Sequence, residues 1–311
     1  MKKKHLSYLG TVLFSVLLLS LCGWVISREL KAYNYRDIAN SLANLPRSRL
    51  LFSVLLAALG YGIMTISDAL AVRYVRYPLP WYKTTLAALT SVTISNSLGF
   101  ALVTGSAIRY RLYSAWGLSK VAIAQVIAYG NLSFWVGMCA VGGILFVTQP
   151  LPIPAILNLP FASMQIVGGI FLSLAIAYLI LSILTHNRAL RINNHLFRVP
   201  SLRLSVAQIT ISGLDWAIAT GVLYTLLIPS GLSFPAFFSI YLLAQLSGII
   251  SHIPGGLGIF ETVIVLLLQP QVKPDTAIAS LLAYRAVYYL LPLSIGLVLL
   301  AGYELRDRLR K

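Results

Sequence analysis

Acidic residues are scarce in this chain. Eight Asp and Glu stand against 24 Lys and Arg in 311 residues, a formal charge of +16. In a soluble protein that excess would point to nucleic acid. Here charged residues make up only 10% of the chain, and the positives cluster between apolar runs, as the positive-inside rule and anionic lipid head groups both favour. Nucleic acid is therefore set aside as a partner. Cysteine is also nearly absent: Cys22 and Cys139 both fall inside apolar runs, which excludes a disulfide framework and a Cys-based zinc site. No Walker A loop, H-E-x-x-H, G-x-S-x-G or Rossmann glycine pattern occurs, and "GGLG" at 255–258 is not by itself a nucleotide loop. No catalytic residue, metal site or cofactor is expected, and the chain leaves no room for a soluble catalytic domain.

What the chain has in abundance is apolar sequence, at 58% of residues. Uncharged runs of about 20 residues recur, enough to cross a hydrocarbon core of roughly 30 Å at about 1.5 Å per residue. Windows at 6–27, 50–72, 121–148, 161–185, 204–228 and 276–302 predict six spans of an all-α polytopic membrane protein. The start, Met1-Lys2-Lys3-Lys4-His5, resembles a signal peptide. The apolar run behind it is too long and lacks a small-residue cleavage pattern before Arg28, so it reads as a retained first span.

Linker charge sets an expected orientation. Residues 1–5, 73–83 (Arg73, Arg76, Lys83), 186–203 (Arg188, Arg191, Arg198, Arg203) and the basic tail 303–311 should be cytoplasmic, together with both termini. The uncharged linkers "QPLPIPAILNLP" (149–160) and "PSGLSFP" (229–235) should face outward. Segment 28–49 falls outside in this scheme and reads as an amphipathic interfacial helix.

Two further apolar stretches, 84–103 and 233–269, are interrupted by Asn, Ser, Gly and Pro and do not read as ordinary spans. With six crossings, the first must leave from and return to the cytoplasmic side and the second the outer side, which calls for two opposed re-entrant helical hairpins. "AIAQVIAY" (122–129) resembles "AIASLLAY" (277–284), and "ISN" (94–96) resembles "ISH" (250–252). Asp68 and Asp215 each lie in the span before a hairpin. The pattern predicts a single membrane domain, 1–311, with repeat halves 1–148 and 161–302 of inverted, transporter-like topology and a substrate site near the midplane. Irregular backbone at membrane depth must be buried in protein or line water. "HIPGGLG" (252–258) is thus expected at a hairpin tip, with a helix starting near Ile259 and Glu261 placed favourably against its dipole.

Ionisable residues inside spans are costly and are functional candidates by default. These are Asp68, Asp215 and Arg285, with an ion pair between Arg285 and Asp68 or Asp215 as the structural alternative. Glu261 is a helix cap or a ligand contact, and Asn96 and His252 at the two tips either bind a head group or satisfy backbone. Arg109 and Arg111, placed just after the first hairpin among Tyr110, Tyr113 and Trp116, read as a phosphate contact or as an interfacial anchor. Tyr284, with Tyr288 and Tyr289, either packs between helices or supports Arg285 by cation–π contact.

"ISNSLGFALVTGSAIRYRLYSAWGLS" (94–119), "IPGGLGIFE" (253–261) and "AYRAVYYLLPL" (283–293) together resemble the membrane region of lysylphosphatidylglycerol synthase, the multiple peptide resistance factor family, in the family's order. The resemblance implies a flippase-like role at the bacterial inner membrane without the soluble synthase domain. It places the family's important intramembrane acids and late arginine at Asp68, Asp215 and Arg285. The expected substrate is a phospholipid or lipid-linked molecule, anionic or aminoacylated. The expected protein partner is a second copy or a separate lipid-modifying enzyme. An integral-membrane lipid transferase and a non-catalytic partner subunit are the alternatives.

Overall fold

The computed structural model describes residues 45–98, 101–149, 151, 163–185, 189–192, 195–227, 231–251, 256–269 and 271–309, with isolated residues at 36, 40 and 43. The expected first span, most of segment 28–49, most of the linker 149–160 and His252 lie outside the described residues.

In chain order the elements are α1 (Arg47–Tyr74), α2 (Trp81–Leu98), α3 (Ala101–Ala115), α4 (Lys120–Thr148), α5 (Met164–Thr185), a hairpin of β1 (Ala189–Ile192) and β2 (His195–Arg198), α6 (Leu202–Leu226), α7 (Phe234–Ile250), α8 (Ile259–Leu268), α9 (Pro274–Tyr284), a π-helical turn (Arg285–Leu290) and α10 (Leu291–Leu309). Among the described residues, five helices are long and apolar enough to cross a membrane: α1, α4, α5, α6 and the continuous run Pro274–Arg306. They match the last five predicted spans, and the chain is a polytopic helical membrane protein. Starts follow local chemistry. The Ser119 hydroxyl accepts from the Ala122 N–H at 3.2 Å to open α4, and Pro274 occupies the first turn of α9, where no amide hydrogen is needed.

Helix α2 packs along α3, and α7 along α8, so each interrupted stretch is a helical hairpin. The first is longer than expected. Its second arm runs to Ala115 and contains Arg109 and Arg111, which the sequence placed after the hairpin. Ile108, Leu112 and Tyr113 are all buried, and that apolar face turns α3 into the bundle instead of along a membrane surface. Two smaller departures concern the basic linkers. Residues 189–192 and 195–198 pair as antiparallel strands, Ala189 opposite Arg198 and Ile192 opposite His195. Helix α10 continues through the expected tail as far as Leu309, with Glu304 held by Arg111 of α3 and Tyr303 by Trp116 just beyond it.

Helix α1 ends in a Schellman turn: the Arg76 N–H donates to the Arg73 carbonyl at 3.0 Å and the Tyr77 N–H to the Val72 carbonyl at 3.5 Å. The left-handed position that closes such turns is usually glycine, yet here it is Arg76, φ 56°. A side chain there costs roughly 1–2 kcal/mol.

Packing between spans relies on small residues, as in lipid, where no hydrophobic force separates helix from solvent. A Cβ at Gly143 of α4 would lie 2.8 Å from the Leu172 backbone N of α5, and one at Gly168 of α5 would lie 3.0 Å from the Val147 backbone N of α4. The buried apolar residues form two clusters. One holds Ala71, Ile94, Leu112, Tyr113, Tyr129 and Leu293; the other holds Tyr61, Phe146, Trp216, Tyr241, Phe260 and Tyr284. Along α4, between Tyr129 of the first and Met138 of the second, lies a polar seam. The Gln208 amide donates to the Ser133 hydroxyl at 2.7 Å and the Tyr129 carbonyl at 3.2 Å, and the Ser212 hydroxyl donates to the Ser133 carbonyl at 2.7 Å.

Candidate functional site

The first hairpin contributes a buried fork. Asp68 lies on α1, 3% exposed. Arg109 of α3 meets it bidentately, Nε to Oδ2 at 3.0 Å and Nη2 to Oδ1 at 2.8 Å. Tyr113, one turn along the same face of α3, donates its hydroxyl to Oδ2 at 3.3 Å. A carboxylate taken out of water is thus answered by three donors, as a buried charge requires. Arg111 points elsewhere, to Glu304 of α10 at 3.3 Å, and its Nε is buried without a hydrogen-bond partner. Beside it the Trp116 indole N–H donates to the Tyr303 hydroxyl at 2.9 Å, and the Lys83 ammonium lies 5.5 Å from the Trp116 ring centroid. This side of the hairpin is tied both to the span before it and to the last helix.

The second hairpin is built around Glu261. Gly256 and Gly258 take positive φ, 62° and 84°, and α8 starts directly after them, as the sequence predicted. Glu261 Oε2 accepts the Gly258 N–H at 2.8 Å, while Oε1 accepts Arg285 Nε at 2.8 Å and Nη2 at 2.6 Å. One carboxylate caps a helix and neutralises an arginine. Arg285, 2% exposed, opens the π turn, and its guanidinium lies 4.7 Å from the Tyr289 ring centroid. Its partner is therefore not Asp68 or Asp215, the acids proposed from sequence. The reason is local: the N-terminal cap of α8 fixes the Glu261 carboxylate against the start of the π turn.

Aromatic hydroxyls line the space between. Tyr284 is fully buried, its hydroxyl 2.8 Å from that of Tyr241, to which Gln245 donates at 3.0 Å. Tyr284 stacks on Tyr288, centroids 5.2 Å apart. The Tyr61 hydroxyl donates to the Tyr288 carbonyl at 2.9 Å and has Asn96, near the end of α2, as a side-chain neighbour. Asp215 of α6 stands within electrostatic range of Tyr61, Tyr241 and Tyr288. Its Oδ1 is buried with no hydrogen-bond partner, and no ion pair reaches it among the described residues.

The structure thus joins Asp68 with Arg109, and Glu261 with Arg285 and Tyr289. It sets Asn96, Tyr284 and Asp215 around one group of tyrosines, and leaves Arg111 with Glu304 at the periphery. His252 lies outside the described residues. Sequence reasoning missed Tyr61, Gln245 and Glu304. Only Glu304 carried a signal, as an acid among the basic residues that follow the last span.

Known proteins are similar to this chain in sequence along most of its length. A protein of Synechocystis sp. named only as uncharacterized protein slr0712 is 44% identical over 290 residues, 92% of this chain and 89% of that protein. The inner membrane protein YbhN of Escherichia coli is 28% identical over 271 residues, 86% of this chain and 84% of its own length. The phosphatidylglycerol lysyltransferase of Staphylococcus xylosus is 26% identical across 100% of this chain, which spans only 36% of that longer protein. Residues 11–296 match the family described as the lysylphosphatidylglycerol synthase TM region, and the chain belongs to that family.

Proposed function

We propose that the protein is a lipid translocase of the bacterial inner membrane, with both termini cytoplasmic, which carries an anionic or aminoacylated phospholipid between leaflets. The observation that carries the reading is the unequal charge inside the bundle: Arg109 and Arg285 locked to Asp68 and Glu261, and one carboxylate, Asp215, whose Oδ1 is buried without a hydrogen-bond partner and which has no ion-pair partner among the described residues. An unanswered acid at that depth is costly unless a ligand or an exchanging cation visits it. In this mechanism Arg109 and Arg285 release their carboxylates to hold the lipid phosphate, Asp215 meets a cationic head group, and the hairpins alternate in opening the path.

The inverted repeat of halves 1–148 and 161–302 belongs to the same proposal. Helix contacts support it: α2 touches α1 and α10, and its counterpart α7 touches α6 and α4. Exchanging the halves turns one set into the other.

The test is reconstitution into vesicles of phosphatidylcholine and phosphatidylglycerol carrying a fluorescent phosphatidylglycerol in one leaflet. A translocase exposes the probe to quencher on the other side without changing its mass, and Asp215→Asn lowers the rate for an aminoacylated probe more than for the anionic one. A mass change would instead identify a lipid transferase. No movement and no mass change would leave the partner-subunit reading.

A further inference from the structure

Two grooves adjoin at the end of α1, the larger against the start of α2 and the smaller against the start of α6, and Arg73 lines both. The larger, about 520 Å³, also takes in Arg76, Leu79 and Trp81; the smaller, about 320 Å³, takes in Leu70, Ser201 and Arg203. Volumes of that order suit a small bound group. Arg73, Arg76 and Arg203 are exposed and make no ion pair among the described residues. That is unlike Arg109, Arg111 and Arg285, each of which has its own acid.

From these features we infer that the paired grooves bind the phosphate head group of an anionic phospholipid, apart from any path through the bundle. Three guanidinium groups offer planar, doubly donating forks that suit phosphate oxygens. The conformation of Arg76 gives a second, independent argument. It occupies the left-handed position of a Schellman turn, φ 56°, where glycine fits without cost, so the cationic side chain is kept against local backbone preference. The walls decide between a lipid and a free anion. Leu70, Leu79 and a largely exposed Trp81 suit a glycerol backbone and the first acyl carbons, and basic pockets between spans are where anionic head groups settle. The inference does not depend on transport.

The purified full chain, stripped of lipid in detergent micelles, is titrated with phosphatidylglycerol, phosphatidylcholine or inorganic phosphate while thermal unfolding is followed. Phosphatidylglycerol should raise the melting temperature of the wild type and phosphatidylcholine should not. The exposed-site double variant Arg73→Gln/Arg203→Gln should need about ten- to thirty-fold more phosphatidylglycerol for the same shift. Arg76→Gly should melt no lower than the wild type in phosphatidylcholine, since its turn is relieved, yet need several-fold more phosphatidylglycerol. Unchanged phosphatidylglycerol titrations in both variants would overturn the site. Equal protection by inorganic phosphate at matched concentration would overturn its assignment to lipid.

Discussion

Both hydrogen bonds from Arg285 to Glu261 fall on one carboxylate oxygen, the other being occupied by the Gly258 amide. A lysine in place of Arg285 keeps the charge but reaches that oxygen with one ammonium and cannot lie against the Tyr289 ring in the same way. Arg285→Lys is therefore expected to cut lipid movement about ten-fold or more in the vesicle assay, while the yield of folded protein stays close to wild type. The Asp68–Arg109 pair makes a different prediction because the fork there is symmetrical and Tyr113 adds a third donor. Asp68→Asn strands a buried guanidinium and should lower stability by about 3–5 kcal/mol. Adding Arg109→Gln should return part of that loss, with a coupling of roughly 1–3 kcal/mol in a thermal double-mutant cycle. Additive losses would mean that the two side chains do not act as a pair.

The π turn is the element on which the second site hangs. The Leu291 N–H reaches back to the Ala286 carbonyl, so one residue more than an α-helix needs is held between α9 and α10. Such turns behave as single-residue insertions and gather at functional sites. Deleting Ala286 should restore α-helical hydrogen bonding and rotate Tyr288 and Tyr289 by about 100° relative to Arg285. The expected result is a protein that melts no lower than wild type but has lost the Arg285–Tyr289 stacking, and with it most transport. Nothing in "AYRAVYYLLPL" announced the extra residue, since π and α turns have the same composition. The breaks between the hairpin arms, by contrast, were legible, because glycine, proline and asparagine interrupt apolar runs for identifiable backbone reasons, although Gly99 and residues 252–255 lie outside the described residues. So was the cap formed by Glu261, whose partner lies three residues away. The partner of Arg285 was not: 24 residues separate it from Glu261, and only the folding of α8 beside α9 brings them together.

For the molecule as a whole, hydropathy gave the five spans that lie within the described residues because a bilayer demands long uncharged helices, whereas charge gave only an expected orientation. That orientation is testable in intact cells. Cysteine introduced at Ser233, the N-cap of α7, should react with an impermeant thiol reagent from outside, and cysteine at Asn193, between β1 and β2, should react only after the membrane is opened. The reverse pattern would invert the topology. The pairing of β1 with β2 escaped the sequence reading because their residues are those of any basic linker. The two apolar clusters were equally hidden, since a run of leucines does not say to which neighbours it belongs. Their separation has a mechanical meaning. The first hairpin is rooted in one cluster through Ile94, Ile108 and Leu112, and the second in the other through Tyr241, Phe260 and Val263. Each hairpin is thus rooted mainly in its own cluster, but Leu89 and Val92 of α2 also reach the second, and α1 and α4 run through both, so a load on either hairpin is carried to the other by shared spans, with the hydrogen-bonded layer around Gln208 and Ser133 tying α4 to α6 between them.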